Sequence, residues 1–355
     1  MIPQTSSRNT AVSDSAATVR VSVVIPVYNG GDDLDRCLAA LFRSRYTEFE
    51  CIVVDDASTD GRTGEIAARH GARVIFLERQ GGPARARNRG AREASGDILF
   101  FTDADVELHA DAIGHAVAAL DGEPEITAVM GSYDEHPAHP SFISRYRNLY
   151  HHWNHQTANP EASTFWTGCG AVRRESFLAL GGFSLAYERP SIEDIEFGYR
   201  LRRAGHRIRL LPQMQGTHLK EWTLAGTVKT DIFQRGVPWV VLLKKFPDSP
   251  ADLNVKAGAR VATLLAGVFV LFLLLLLPGH PASLPAWPWL LVPLGAVAGI
   301  AWIQRGFLQL VTRLHGPGFA LATVPMLVLF FLCCGAAVPL GYLAFWIGEK
   351  SGHSV

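Results

Sequence analysis

The hydrophobic pattern divides the chain into short apolar runs followed by long ones. Arg20 to Val27 (RVSVVIPV), Glu50 to Val54, Arg73 to Leu77 and Ile98 to Phe101 are short β-branched or aromatic runs bounded by turn residues, the mark of buried strands. Helical periodicity fills the gaps. Leu34, Leu38 and Leu41 share one helix face behind Asp32 and Asp33 as caps, a short helix runs to His70, and Gly81-Gly82-Pro83 opens another over Ala84 to Ala94. Strands alternating with helices at this spacing predict an α/β domain with a mostly parallel sheet covered on both faces.

Further on, Trp166 to Gly170 reads as a small-residue strand or turn, and a helix starts at Arg173-Arg174-Glu175 and ends at Gly181-Gly182. Ser191 is placed to cap a second helix, with Asp194 at the capping-box position. Ile208 to Leu211 is a further strand. Phe142 to Gln156 is aromatic and basic and contains His151, His152 and His155; it reads as an amphipathic helix near a membrane or an acceptor mouth rather than a metal cluster. The segment 221–256 reads the same way, with Trp239 and Lys244-Lys245 as interfacial anchors.

The long runs follow. No Asp, Glu, Lys or Arg occurs from Val261 to Gln304, nor from Gly316 to Gly348, which is membrane composition. Ala257 to Leu277, Pro285 to Ile303 and Phe319 to Ile347 are each long enough to span, the last being tilted or kinked at Pro325 or Pro339. Gln304 to His315 reads as an amphipathic piece lying flat. Basic residues before the first span and between the second and third predict three crossings with the folded domain on the cytoplasmic side of an inner or plasma membrane. The expected organisation is a disordered tail over 1–18, a folded α/β domain over 19–220, interface helices over 221–256, three membrane helices over 257–347 and a tail over 348–355.

Charge changes little in this picture. Lys plus Arg and Asp plus Glu both number 33, so nothing global points to nucleic acid. The five cysteines lack C-x-x-C spacing and read as reduced, packed thiols.

Candidate chemistry sits at strand ends. Asp103 and Asp105 follow the Ile98 strand on alternate residues, so in an extended segment both point to one side. Two like charges there repel unless a cation lies between them. A hard divalent ion takes one or two carboxylates and completes its sphere with phosphate oxygens. Open α/β sheets bind ligands at the carboxyl ends of strands. Asp55 and Asp56 end a neighbouring strand, where acids accept from a nucleobase or ribose. A dinucleotide site would need G-x-G-x-x-G after the first strand; Tyr28-Asn29-Gly30-Gly31 stands there instead. Arg85, Arg87 and Arg89 open a helix that favours an anion, the alternative being a solvated helix face.

Pro26-Val27-Tyr28-Asn29-Gly30, Val53 to Gly61 (VVDDASTDG), Ala86-Arg87-Asn88 and Asp103-Ala104-Asp105, in this order and spacing, resemble the motifs of family 2 glycosyltransferases. The resemblance implies the GT-A fold, Rossmann-like with a mostly parallel sheet, a nucleotide-diphosphate-sugar donor, a divalent cation (Mn²⁺ or Mg²⁺) and inversion at the anomeric carbon. On this basis Pro26, Tyr28, Asn29, Asp55, Asp56, Arg87, Asn88 and Asp103 are donor-binding. Asp103 and Asp105 hold the metal, joined by His218, since an imidazole suits Mn²⁺. The Glu193-Asp194 pair aligns with the family's catalytic base, with Asp194 in that role. Lys220 meets a donor diphosphate or an acceptor phosphate, or is a surface lysine. Trp166 and Gly168 are acceptor-side candidates, the glycine admitting close approach of a sugar or simply making a tight turn. Arg235 and Trp239 are acceptor candidates that faintly resemble the Q-x-x-R-W signature of processive synthases, but the spacing differs, which disfavours processivity. The expected function is an inverting glycosyltransferase that acts on a membrane-lipid, lipid-linked or glycan acceptor at the cytoplasmic membrane face. The alternatives are a processive polysaccharide synthase and a non-catalytic nucleotide-sugar-binding membrane protein.

Overall fold

The computed structural model describes residues 19–247, 256–275 and 287–351. The tail over 1–18, the end of the first expected span at Leu277, the loop after it and residues 352–355 lie outside these.

The chain builds β1 (Val21–Val27), α1 (Gly31–Leu41), β2 (Phe49–Asp55), α2 (Thr63–Arg69), β3 (Arg73–Phe76), α3 (Gly82–Glu93), β4 (Ile98–Thr102), β5 (Val106–Leu108), α4 (Ala112–Gly122) and β6 (Ile126–Tyr133). It continues with α5 (Phe142–Gln156), β7 (Glu161–Ala162), β8 (Cys169–Arg173), α6 (Arg174–Ala179), α7 (Glu193–Arg203) and β9 (Arg207–His218). The strands form one sheet in the order β3-β2-β1-β4-β8-β6-β9-β5, with β7 beside β9. The expected strand-helix alternation holds through β4 and keeps that half parallel. The mostly parallel expectation does not extend further. β8 runs antiparallel to both β4 and β6, and β5 and β7 run antiparallel to β9, so the sheet is mixed. The antiparallel neighbour of β4 is β8, which enters the sheet only after β6, α5 and β7 and slots between β4 and β6, while β5 pairs with β9 at the far edge.

Both faces are covered. Along β4, Ile98 and Phe100 pack on one face with Leu34, Leu38 and Leu41 of α1 and Ile113 and Ala116 of α4. Leu99 and Phe101 pack on the other with Ala84 and Ala86 of α3, Phe177 of α6 and Phe197 of α7. Two-sided burial explains why the strand is apolar throughout rather than alternating. Two expected caps are absent. Gly30 precedes α1, with Asp32 and Asp33 inside its first turn. Ile192 precedes α7, and Ser191 Oγ instead donates to the Gln234 carbonyl at 2.8 Å.

The remaining chain is helical. A continuous run comprises α8 (Leu224–Lys229), a π-helical segment (Thr230–Gly236) and α9 (Val237–Lys245), followed by α10 (Ala257–Leu275), α11 (Trp287–Ile303), α12 (Arg305–His315) and α13 (Pro317–Ser351). Among the described residues α10 and α13 are long and apolar enough to cross a membrane; α11 reaches that standard only jointly with α12, from which it is bent by 75°. Two candidate spans therefore stand, or three if the bent pair is one span. α12 is the expected amphipathic piece, burying Phe307, Leu310 and Val311. α13 runs unbroken through Pro325 and Pro339. Tyr146, Leu149 and Tyr150 of α5 pack with Phe307, Phe330 and Phe331 in one cluster, so α5 joins the sheet domain to the apolar helices.

Candidate active site

The site begins where β4 ends. Asp103 accepts from Arg87 Nη2 at 2.6 Å, and Arg87 Nη1 donates to Glu193 at 2.9 Å. Arg87 is buried in the middle of α3. Burial alone would weaken its protonation, but the charges of Asp103, Glu193 and Asp194 overcome that and raise its pKa. One guanidinium thus ties the strand-end acid of the first half to the acidic start of α7 in the second. This bridge supersedes the solvated-face alternative for Arg87.

Asp194 lies next to the bridge. Its Oδ2 accepts from Thr167 N at 3.2 Å and its Oδ1 from Ile195 N at 2.8 Å. Burial, then the charge of Glu193, pushes its pKa up to about 6, against the pull of Arg87 and these two amides. A carboxylate so tuned is ionised yet basic near neutrality.

On the other side of Asp103, Asp105 Oδ2 lies 3.4 Å from His218 Nε2. His218 Nδ1 is 2.8 Å from Asn148 Oδ1; an amide oxygen only accepts, so Nδ1 carries the proton and Nε2 offers its lone pair toward the carboxylate. Two electron-rich atoms facing one another fit a cation between them, and the amide behind the imidazole is the outer support a metal-bound histidine uses. Burial would raise the Asp105 pKa; with no cation between them, a protonated His218, by charge and hydrogen bond, and then Lys220 reverse that and hold it below the usual range, the imidazolium proton standing where a cation would sit. The expected trio of Asp103, Asp105 and His218 is not assembled, however. Among the described residues no three His, Cys, Asp or Glu side chains converge to hold a metal. Asp103 is engaged by Arg87, leaving Asp105 and His218 as a two-residue set that needs ligands from substrate.

Several donor-side candidates turn out to hold the scaffold. Asn29, with positive φ, accepts through Oδ1 from Thr59 N at 2.8 Å and Asp60 N at 3.2 Å. Asp55 Oδ1 accepts from Ser58 N at 2.6 Å. Asp56 accepts from Gly81 N and Gly82 N at 2.9 and 2.8 Å, fixing the entry to α3. At Gly82 (φ +83) a side chain would collide with the Glu188 carbonyl, so glycine is required. Asn88 exchanges two 2.8 Å bonds with the Phe183 backbone. These residues shape the rim rather than point freely into it. Tyr28 is exposed beside the rim, and Pro26 lies in β1 opposite Val54. Lys220 is exposed, its Nζ 4.5 Å from the Trp222 ring centre.

The acceptor-side candidates divide. Trp166 joins a ring cluster with Tyr133 (4.8 Å), His151 (5.1 Å) and His155 (4.8 Å), and Tyr133 stacks on His218 at 4.4 Å. A side chain at Gly168 would strike the Trp166 ring, so this glycine admits an indole rather than a sugar. Trp239 is buried with Ile192, Tyr199 and Leu242, its Nε1 donating to Tyr199 Oη at 3.2 Å, away from the ring cluster. Arg235 sits in the π-helical segment. Tyr133, Asn148 and Thr167 were missed by sequence reasoning because their roles arise from β6, α5 and the approach to β8, none of which carries a motif.

A mixed sheet with acids from two distant segments gathered at one rim around a buried guanidinium is a GT-A-like domain. Residues 22–181, a little under half of the chain, match the family model described as Glycosyl transferase family 2, and this segment is a family 2 glycosyltransferase domain. It is 31% identical over 219 residues to a validoxylamine A glucosyltransferase of Streptomyces hygroscopicus subsp. jinggangensis, covering 52% of each chain. It is 37% identical over 109 residues to the glycosyltransferase AglE of Haloferax volcanii, covering 29% of this chain and 36% of that one. The chain thus spans about half or less of these relatives' length. Among solved structures, a mannosyltransferase from Pyrobaculum calidifontis in complex with GDP-Man and Mn²⁺ is similar at 20% identity and TM-score 0.49, covering 92% and 87% of the two chains.

Proposed function

We propose that this protein is an inverting glycosyltransferase that moves a sugar from a nucleotide-diphosphate sugar to a membrane-lipid, lipid-linked or glycan acceptor. The observation that carries the reading is the Arg87 bridge, which puts Asp194 beside the Asp103 strand end. Displacing a nucleoside diphosphate from an anomeric carbon develops negative charge on the leaving oxygen while the acceptor loses a proton on the opposite face.

Asp105 and His218 are the residues that would hold a divalent cation, Mn²⁺ or Mg²⁺. When bound, the cation acts as a Lewis acid on the diphosphate. Lys220 adds positive charge at that end. The rim that Asn29, Asp55 and Asp56 shape receives the nucleoside, with Pro26 and Tyr28 along its edge. Arg87 holds Asp103 and Glu193 at fixed separation, and Asn88 fixes the loop behind it. Asp194 removes the acceptor proton, Thr167 N and Ile195 N orienting its two oxygens. Trp166 and Tyr133 wall the acceptor side.

The apolar α10 and α13 support an integral membrane protein, and the basic residues flanking the spans favour this domain on the cytoplasmic side of an inner or plasma membrane, where a lipid-borne acceptor would reach α9 and α13. A processive synthase is not favoured, because two or three candidate spans among the described residues offer few helices for a conduit. A non-catalytic binder would have no use for a carboxylate tuned like Asp194. The test is hydrolysis and transfer with a panel of nucleotide sugars, with and without Mn²⁺, on the wild type and D194N. Metal-dependent turnover that D194N abolishes, with nucleotide binding kept, supports the reading. Metal-independent turnover, or none with any donor, overturns it.

A further inference from the structure

One buried carboxylate joins the ends of three strands behind the Asp105–His218 pair. Asp134 follows β6 and is only 5% exposed. Its backbone N–H donates to the Gly216 carbonyl of β9 at 3.0 Å. Its Oδ2 accepts from the Thr217 hydroxyl of β9 and from His109 Nε2 at 2.9 Å, and its Oδ1 accepts from His136 N at 3.0 Å. His109 directly follows β5, and its own N–H donates to the Gln215 carbonyl of β9 at 3.0 Å. An ionised carboxylate only accepts, so Nε2 is the protonated nitrogen of His109. Burial would raise the Asp134 pKa; the bonds from His109 and Thr217 hold it below the usual carboxylate range.

Each of the three strands also delivers a residue to the cation site. Tyr133 precedes Asp134, His218 follows Thr217, and Asp105 leads into β5. Successive residues of a strand point to opposite faces. On one face Tyr133 stacks on His218, with ring centres 4.4 Å apart and planes within 7° of parallel. On the other face Asp134 takes the Thr217 hydroxyl. Asp105 is tied to the same strand end, its carbonyl accepting from Leu219 N at 2.8 Å.

The register of β9 breaks just before this point. Met130 lies opposite Leu210 but Ser132 lies opposite Gln215, so a two-residue step in β6 faces a five-residue step in β9. Gly131 stands at the break, where a side chain would strike the Met214 carbonyl. Such an irregularity disrupts the ladder and bends the strand. The regular pairing over Ile126–Met130 therefore does not determine where His218 comes to rest. On its other side β9 has only β5, a three-residue strand at the sheet edge, with Val106 opposite His218. Beyond these short stretches of ladder, the Asp134 side chain is what holds both strand ends at once.

We propose that Asp134 is a positioning residue of the cation site: through Thr217 and His109 it sets His218 against Asp105, and so sets the affinity of that pair for a divalent ion. The inference rests on the glycosyltransferase reading for the presence of the ion. Asp134 touches neither the ion's residues nor substrate; it acts from the far face of the sheet.

The experiment uses the full chain in phosphatidylcholine nanodiscs. Mn²⁺ binding is followed by paramagnetic resonance with UDP or GDP present, and binding of UDP and GDP in EDTA by calorimetry, each at a temperature where the variant is folded. D134N and T217V are expected to weaken Mn²⁺ binding about tenfold, the scale of outer partners of metal-bound histidines, with metal-free nucleotide affinity within about twofold of the wild type. T217S keeps the hydroxyl and gives up the branched shape, and is expected to bind Mn²⁺ within about twofold of the wild type; H109F, which removes one of the two strand ties, is expected to lose about threefold. Should D134N fail to fold, T217V and T217S decide by the same comparison. Wild-type Mn²⁺ affinity in T217V, or in a folded D134N, overturns the proposal, whatever their melting temperatures, because the carboxylate then serves the sheet alone. T217S weakened as much as T217V also overturns it, since the loss then follows side-chain shape and not the bond to Asp134. Both of these outcomes leave the glycosyltransferase reading intact. A wild type that binds Mn²⁺ with neither UDP nor GDP overturns the cation site itself, and this proposal with it.

Discussion

Arg87 and Glu193 stand 106 residues apart in sequence and 2.9 Å apart in space, each with a side chain only 5% exposed. A buried ion pair adds little net stability by itself, but removing one partner strands the other charge. R87A should therefore destabilise the domain by about 3–5 kcal/mol, read as a lowered midpoint in denaturant unfolding. R87K keeps the charge but not the fork that reaches Asp103 and Glu193 together. It should fold and lose most activity. Near-normal turnover in R87K would mean that the bridge does not position the two acids for chemistry.

Asp194 gives a pH prediction. Its pKa is raised by burial and by Glu193 to about 6, and the base works as the carboxylate, so turnover should fall as pH drops through about 6. The stability sign is opposite. A carboxyl whose folded pKa exceeds its unfolded value favours folding below the unfolded pKa and loses that contribution as pH rises through the folded one. At pH 7 the ionised group is a burden, so D194N should melt higher than the wild type there while its activity disappears. The melting advantage should vanish near pH 4. A D194N enzyme with a normal acid limb would assign the base elsewhere.

The parallel half of the sheet was legible because β1, β2, β3 and β4 each carry a short run of mostly β-branched or aromatic residues between turn residues. The antiparallel half was not. β6 (ITAVMGSY) is as buried as β4, yet its place between β8 and β9 is set by pairing across 40 or more residues, which local pattern does not encode. Motif order singled out Asp103, Asp105, Asp194 and His218; the fold ties Asp103 to Glu193, next to Asp194, through Arg87 and sets Asp105 3.4 Å from His218. Motif order could not say which motif residues face the cleft and which brace it, because Asn29, Asp56 and Asn88 are spent on backbone amides and a carbonyl visible only once the loops are closed. The ring cluster escaped for a similar reason: its members come from β6, α5 and the segment before β8, and no spacing rule links them.

Asn88 separates bracing from binding. Its amide oxygen accepts from Phe183 N and its nitrogen donates to Phe183 O, both buried. A side chain at Gly182, where φ is +73°, would also collide with that amide, so the loop and the asparagine fit together. N88A leaves a buried N–H and C=O unpaired and should cost about 2–4 kcal/mol. Affinity for the nucleotide should change little at temperatures where the variant is folded. Calorimetric titration of nucleoside diphosphate into folded N88A checks this; a tenfold loss of affinity would make Asn88 a donor contact after all.

Asn148 tests the cation site without touching its ligands. The amide oxygen holds the His218 proton on Nδ1 and leaves Nε2 open toward Asp105. Replacing it by leucine keeps the bulk and removes the acceptor, so the imidazole is free to rotate or to move its proton to Nε2, where it would donate to Asp105 instead of binding metal. Outer partners of metal-bound histidines are typically worth about 10–100-fold in metal affinity. N148L should weaken Mn²⁺ binding in the presence of nucleoside diphosphate by that factor, seen in the Mn²⁺ paramagnetic resonance signal, and raise the metal concentration needed for turnover. H218Q should do at least as much. D105N should abolish metal-dependent nucleotide binding, because Asp105 is then the only carboxylate of the pair. If N148L and H218Q both bind Mn²⁺ as the wild type does, His218 is a neighbour of the cation site and not a ligand in it, and the metal must be held by Asp105 and substrate alone.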